Sequence, residues 1–384
     1  MNNRQSWNVI TLFLLMIFGT TMITLISPKK SFSETENRTL TTLKAPSAGD
    51  IFSGKFEQEY EDYLTDQFPG RDRCITLKTT TERALLKKDI HDVYLADDDY
   101  LIEKHTGTFE AERAGRNAKA LVSFAQTMEK RYGADHVSVM IVPNAVDILK
   151  DKLPPFADPY DEEIYLDQIK EQLPEGVWFD AGAVLSRHSN EYIYYRTDHH
   201  WTTPGASYVA ASWVNSKLGI TLPKAYFFSQ ELSDDFAGTV ASRTGIHSVK
   251  DTLVWYRPAG YDDVTVKYPS SGEERDRILD YEKLSTRDQY GVFFGGNYDL
   301  VSVETKAGTG RRLLLFKDSY AHCFAPMLTG LFDRIDLVDL RYYSGNIETL
   351  FEDCDPTDIL VLYNAAGFAE DAGAARLSEV SYEG

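Results

Sequence analysis

Residues 311–330 read RRLLLFKDSYAHCFAPMLTG, and this stretch decides the fold. Leu313 to Phe316 is an apolar run of strand length, and Lys317-Asp318-Ser319 interrupts it. Ala321, Phe324, Ala325 and Leu328 then follow at helical spacing, closed by Gly330. A strand, a sharp turn and a helix in that order form the building unit of an α/β fold. They are also the setting of a nucleophilic serine. At the C-terminal end of a parallel strand the Ser319 hydroxyl is exposed, while the N–H groups and positive end of the following helix face a developing oxyanion. The same Asp318-Ser319 pair also suits a plain helix N-cap.

Outward from this unit, helix and strand patterns alternate. A helix is expected over about 108–131, a strand over His136 to Val142, a helix near 160–172 and a strand over Val177 to Phe179. Downstream, strands are expected over Arg334 to Val338 and Asp358 to Tyr363, with Asn364 at the end of the latter. The alternation predicts a mostly parallel sheet with helices on both faces. Residues 222–305 break it. Short β-prone pieces such as Thr252 to Tyr256 and Val264 to Lys267 predict a β-rich antiparallel insertion or cover. Val93 to Ile102 reads as a hairpin whose turn holds Asp97, Asp98 and Asp99; the EF-hand spacing is absent, so a solvated turn is expected.

A base for Ser319 is offered by YYRTDHHWTTPGA, residues 194–206. Tyr192 to Tyr195 is a β-prone aromatic run, Thr202 or Thr203 suits an N-cap, and Pro204 suits the first position of a helix running to about Leu218. The loop between can place the Asp198 carboxylate against one ring nitrogen of His200, fixing tautomer and orientation for a general base. His199 is expected to be structural and Trp201 to pack the loop. Because ligands of open α/β sheets bind beyond the carboxyl ends of the strands, Pro143-Asn144, Ser319, Asp339 to Arg341 and Asn364 should share one rim. Asn144 and Asn364 are candidate oxyanion donors, and Arg341 is a candidate for holding a carboxylate or an acyl carbonyl. Each also has a structural reading, as a satisfier of loop backbone or as an ion pair with Asp339.

The two motifs together resemble the DHHW family, a branch of the SGNH hydrolase superfamily related to periplasmic alginate O-acetyltransferases. Glu36-Asn37-Arg38, Asp66-Gln67-Phe68-Pro69 with Arg71, and Asp339-Leu340-Arg341-Tyr342-Tyr343 extend the resemblance over most of the chain. It implies an SGNH-like three-layer α/β/α fold and a triad of Ser319, His200 and Asp198. It also implies a catalytic part outside the cytoplasm, acting by O-acyl transfer on a cell-envelope polysaccharide, with acyl groups supplied by an MBOAT-type membrane acyltransferase. Lys317 departs from the pattern, standing where Gly is usual before Asp-Ser in the turn that would contribute to the oxyanion site.

The 384 residues carry a formal charge of −19 with 43% hydrophobic content, which suits a globular protein and argues against a general nucleic-acid binder. From Trp7 to Ser27 no residue is charged, long enough for one membrane span. With no good cleavage site after it, an uncleaved signal anchor is expected over 1–27. A helical stalk is expected over 28–90 and the catalytic domain over 91–384. Three cysteines, Cys74, Cys323 and Cys354, allow at most one disulfide, and Cys323 falls on an apolar face as a small buried hydrophobe.

These features predict a membrane-anchored extracytoplasmic serine esterase or O-acetyltransferase that needs no cofactor and uses no metal. Two alternatives stand beside it. Asp198, His199 and His200 are ligand types for a metal-dependent hydrolase or phosphoesterase, although no HxH or HExxH pattern accompanies them. A carbohydrate-binding scaffold that keeps the fold without catalysis is the other.

Overall fold

The computed structural model describes residues 3–33, 38–43, 45–259 and 263–380. Glu36 and Asn37, which the resemblance singled out, lie outside the described residues. The chain divides into two units, residues 1–87 with 242–246, and residues 88–241 with 247–384.

In the first unit the uncharged run forms one helix, Asn3–Ile26, long and apolar enough over Ser6–Thr24 to cross a membrane. Helices Lys55–Asp66 and Arg71–Ala84 follow, each entered through a left-handed glycine, Gly54 and Gly70. Residues 242–246 join this unit through the Thr79 hydroxyl, which donates to the Thr244 carbonyl at 2.7 Å.

The second unit is a mixed α/β fold around a seven-stranded sheet. Its strands are β1 (Val137–Val142), β2 (Thr265–Tyr268), β3 (Glu273–Arg275), β4 (Leu300–Glu304), β5 (Arg312–Lys317), β6 (Arg334–Val338) and β7 (Asp358–Asn364), in the spatial order β3-β2-β4-β6-β5-β7-β1. The expectation of a mostly parallel sheet holds for one half. β6, β5, β7 and β1 pair in parallel, whereas β4, β2 and β3 extend the sheet antiparallel beyond β6. The reason is local. β2 and β3 are joined by residues 269–272 alone, too few for the crossover a parallel pair needs, and β4 continues the antiparallel pairing onto β6.

Parallel strands covered on both faces are continuously apolar, and β1, β5 and β7 show this. Their alternate residues feed two separate cores. Met140, Val142, Leu313, Leu315, Leu360 and Leu362 pack with helix Thr203–Leu218 on one side. Val139, Ile141, Leu314, Phe316, Val361 and Tyr363 pack with helices Glu112–Tyr132 and Ile347–Cys354 on the other.

Two expected strands are absent. Val177 to Phe179 makes one bridge, Trp178 to Val139, and Tyr192 to Tyr195 makes one, Tyr194 to Trp201. In each run the pairing stops after that one bridge, so aromatic content without a continued ladder does not make a strand. The helix after Ser319 is also shorter than its pattern: Ala321–Phe324 is α-helical, and a 3₁₀ turn continues over Ala325–Leu328. Pro326 lacks the N–H that a continued α-helix would use.

Candidate active site

The register of β5 with β6 and β7, and of β7 with β1, brings the carboxyl ends of four parallel strands to one rim. Asn144, Ser319, Asp339 and Asn364 lie at or just after those ends. Ser319 is partly exposed in the turn after β5, and its flanking residues Asp318 and Tyr320 are buried.

Asp198 and His200 come from the loop that ends in helix Thr203–Leu218. Thr202 caps this helix, its hydroxyl accepting from the Gly205 N–H, and Pro204 opens it. Trp201 is fully buried against Tyr320 and Phe324 and donates from Nε1 to the Tyr320 carbonyl at 3.0 Å. It thereby locks the loop of Asp198 and His200 onto the turn of Ser319; truncating a buried indole costs about 3–5 kcal/mol. The Asp251 carboxylate holds the loop's other side, accepting from the Arg196 and Thr197 N–H groups at 3.0 and 2.8 Å.

Ser319, His200 and Asp198 meet as one hydrogen-bonded row. His200 Nε2 lies 2.7 Å from Ser319 Oγ, and its Nδ1 lies 2.5 Å from Asp198 Oδ1. Asp198 Oδ2 accepts from the Thr239 N–H at 2.9 Å and from its hydroxyl at 3.1 Å. Burial alone would push the Asp198 carboxyl up, but the two neighbouring histidines and these hydrogen bonds hold it well below the usual carboxylate range. The acid is therefore ionised and the proton between the two residues belongs to Nδ1, which leaves Nε2 as the acceptor a serine needs.

Burial, with the adjacent His199, lowers His200 to about 4 against the pull of Asp198. An unperturbed imidazole would make activity rise through pH 6 to 7. With the neutral base favoured in the folded protein, the half-maximal point of kcat/KM for a small acetyl ester is instead expected below pH 6.5, with a plateau at neutral pH. A midpoint at or above 6.5 in a profile from pH 4 to 8 would contradict this environment.

Several residues escaped sequence reasoning. Tyr290 stacks flat on His200, ring centroids 3.9 Å apart and planes 16° from parallel. Thr239 orients Asp198 and also bonds His199 Nδ1 through its hydroxyl at 2.9 Å. Gly238 lies so close that a Cβ there would sit 2.2 Å from Asp198 Cβ and 2.4 Å from Oδ2. Gly238→Ala is accordingly expected to push the carboxylate away from His200 and reduce kcat by about 10²-fold, with KM for a small ester little changed. All three lie in residues 222–305, and only their place in space marks them.

The second-rank candidates occupy defined places. Asn364 donates to Asp318 Oδ2 from its N–H at 2.8 Å and from Nδ2 at 2.7 Å, and its Oδ1 caps the following helix at the Gly367 N–H. Asn144 Nδ2 donates to Asn364 Oδ1 at 3.0 Å. These bonds lead to Asp318 and fix the turn that presents Ser319. Arg341 grips Asp339 through Nε and Nη2 at 2.8 and 2.6 Å, and its charge acts on His200. Lys317 is turned inward: its ammonium reaches Asp339 at 3.1 Å and His322 Nε2 at 2.9 Å, so the position usually held by Gly does not put a side chain into the turn.

The expected oxyanion donors differ as well. Asp318 already takes the Tyr320 N–H through Oδ1 and the Ala321 N–H through its carbonyl, and the His322 N–H goes to the Ser319 carbonyl. Among the described residues the Ser319 N–H is the one in this turn without a hydrogen-bond partner. Cys323 is buried, and burial pushes its thiol up to about 12, which leaves it inert as a nucleophile. Ligand atoms of Asp198, His199 and His200 do lie within 4.8 Å of one another. Both His200 nitrogens and both Asp198 oxygens are nevertheless engaged in the bonds above, so a cation there would have to replace them.

No curated protein matches the sequence. A DHHW family protein from Eubacterium siraeum has a similar structure, with TM-score 0.59 and 23% identity over 77% of this chain and 98% of that one. Bacillus cereus PatB1, solved with a sulfonyl adduct, gives TM-score 0.60 and 18% identity over 76% of this chain and 100% of that one. The O-acetyltransferase domain of Pseudomonas putida AlgJ gives 0.45 and 13% over 72% and 92%. Residues 115–338, more than half the chain and spanning both the Asp198-His199-His200-Trp201 string and Ser319, match the DHHW protein family model, and the chain belongs to that family.

Proposed function

We propose that this protein is a membrane-anchored, extracytoplasmic SGNH-type serine enzyme that transfers acyl groups, acetyl above all, to a cell-envelope polysaccharide. The single observation that carries the chemistry is the 2.7 Å contact of His200 Nε2 with Ser319 Oγ, backed by the buried, ionised Asp198. Ser319 attacks the acyl carbonyl while His200 takes the hydroxyl proton, and Asp198 balances the imidazolium. The oxyanion would be received by the Ser319 N–H, with Arg341 as the nearby cation. His200 then returns the proton to the leaving group. In the second half it activates the incoming hydroxyl of a sugar, or of water, against the acyl-serine.

Nothing in this sequence of steps requires a metal. The apolar helix Asn3–Ile26 would hold the enzyme at the outer membrane surface, within reach of an MBOAT-type acyl donor. The testing experiment is intact-mass and peptide analysis of the full chain after exposure to an activated acetyl ester or to a sulfonyl fluoride. A single adduct on the peptide containing Ser319 is expected. An unmodified Ser319, or ester hydrolysis lost to a chelator and restored by zinc, would move the function to the metal-dependent hydrolase.

A further inference from the structure

One turn on the segment leaving β1 carries an aromatic ring that folding does not account for. It runs Pro154-Pro155-Phe156-Ala157, closed by the Ala157 N–H donating to the Pro154 carbonyl at 3.0 Å. Pro155 stands at the second position, which its fixed φ suits. Phe156 stands at the third with φ of 67°, where a turn of this kind normally takes glycine. A bulky side chain there is strained, and packing offers no compensation. The Phe156 ring is fully exposed, and no ring or cation contact holds it among the described residues. Strain of this sort, unexplained by the core, clusters at functional sites.

The turn is tied to the catalytic loop. Its segment begins at Pro143, whose carbonyl accepts from the Tyr194 hydroxyl at 2.7 Å. Lys152 bonds the Asp98 carboxylate at 2.6 Å, and the Asp98 carbonyl accepts from Arg196 Nε at 3.0 Å, two residues before Asp198. Close to it in sequence, Asp151, Pro155 and Asp158 are exposed. A protein partner or a bilayer would call for a contiguous apolar patch. A pyranose needs only one ring, because it presents a single apolar face of C–H groups bordered by hydroxyls.

We propose that Phe156 is a stacking platform for a pyranose ring of the acceptor glycan, on the segment that follows β1 and is tied through Lys152, Asp98 and Arg196 to the loop bearing Asp198. This rests on the acyl-transfer function above, and the experiment separates the two. The full chain in detergent is compared with Phe156→Gly, which suits the positive φ, and with Phe156→Trp, which keeps a ring. Each is titrated with the β-1,4-linked tetramer of N-acetylglucosamine and with a mannuronate tetramer. Binding of at least one glycan to the parent and to Phe156→Trp is expected, weakened about tenfold or more in Phe156→Gly. Small acetyl-ester hydrolysis should stay within about twofold in all three, and the melting temperature of Phe156→Gly should be no lower than the parent's. Equal glycan affinity in Phe156→Gly, no binding of either glycan to the parent, or a joint loss of glycan binding and ester hydrolysis would each overturn the assignment. Failure of the parent to hydrolyse the ester at Ser319 would instead overturn the serine chemistry.

Discussion

Ser319→Ala is expected to lower kcat for a small acetyl ester by about 10⁴-fold or more, to the residue of rate that binding and any oxyanion donor supply without a nucleophile. The change removes the attacking oxygen and one hydrogen-bond partner of His200 Nε2 and leaves the fold untouched. Because Ser319 is partly exposed, water can take the vacated place, and stability should move by no more than about 0.5 kcal/mol. His200→Ala should match it, since members of a triad act as a unit. His199→Ala should be far milder: its ring bonds Thr239, which also holds Asp198 through its own N–H. Stopped assays on the purified variants, with melting curves beside them, check all three. Retention of more than about a tenth of parental kcat by Ser319→Ala would sink the serine mechanism.

Much of the parallel half of the fold is legible in the sequence because β1, β5, β6 and β7 are short apolar runs separated by helical patterns. Their ends fall within a residue or so of expectation; β6 is found over Arg334–Val338 as anticipated. What stays hidden is pairing. Nothing in Thr265–Tyr268 or Leu300–Glu304 distinguishes a strand that joins the main sheet from one that forms a separate hairpin, as Phe227–Phe236 and Asp251–Pro258 do. Alternation reports which face is buried, not against what. The aromatic run before Asp198 misleads for the opposite reason, since its side chains enter the main core while its backbone makes a single bridge.

The candidate site divides along the same line. Asp198 and His200 stand two residues apart, and Ser319 sits in a recognisable strand-turn unit, so local chemistry exposes them. Thr239, Gly238 and Tyr290 become neighbours only through the fold. Each is of an ordinary type, and the demand on Gly238 is a steric one that no spacing reveals. Lys317 shows the converse. Its sequence position suggests interference with the turn, and its buried bonds to Asp339 and His322 remove that concern.

Asp198→Asn is the change whose outcome depends most on hydrogen-bond direction, and it is expected to reduce kcat by about 10³–10⁴-fold while leaving the protein folded. The carboxylate accepts on both sides, from His200 Nδ1–H through Oδ1 and from the Thr239 N–H through Oδ2. An amide has one acceptor and one donor end. If its nitrogen faces His200, the imidazole must accept at Nδ1 and carry its proton on Nε2, so it can no longer take the Ser319 proton. If its nitrogen faces Thr239, two donors oppose each other in a buried place, which costs about 1–3 kcal/mol. The first orientation destroys the base, and the second destabilises the loop. Loss of the negative charge also removes the main force holding the His200 pKa up, so residual activity should persist to still lower pH than in the parent. Kinetics from pH 4 to 8, with melting curves, measure both consequences. An Asp198→Asn enzyme with near-parental kcat would show that Asp198 does not set the tautomer of His200.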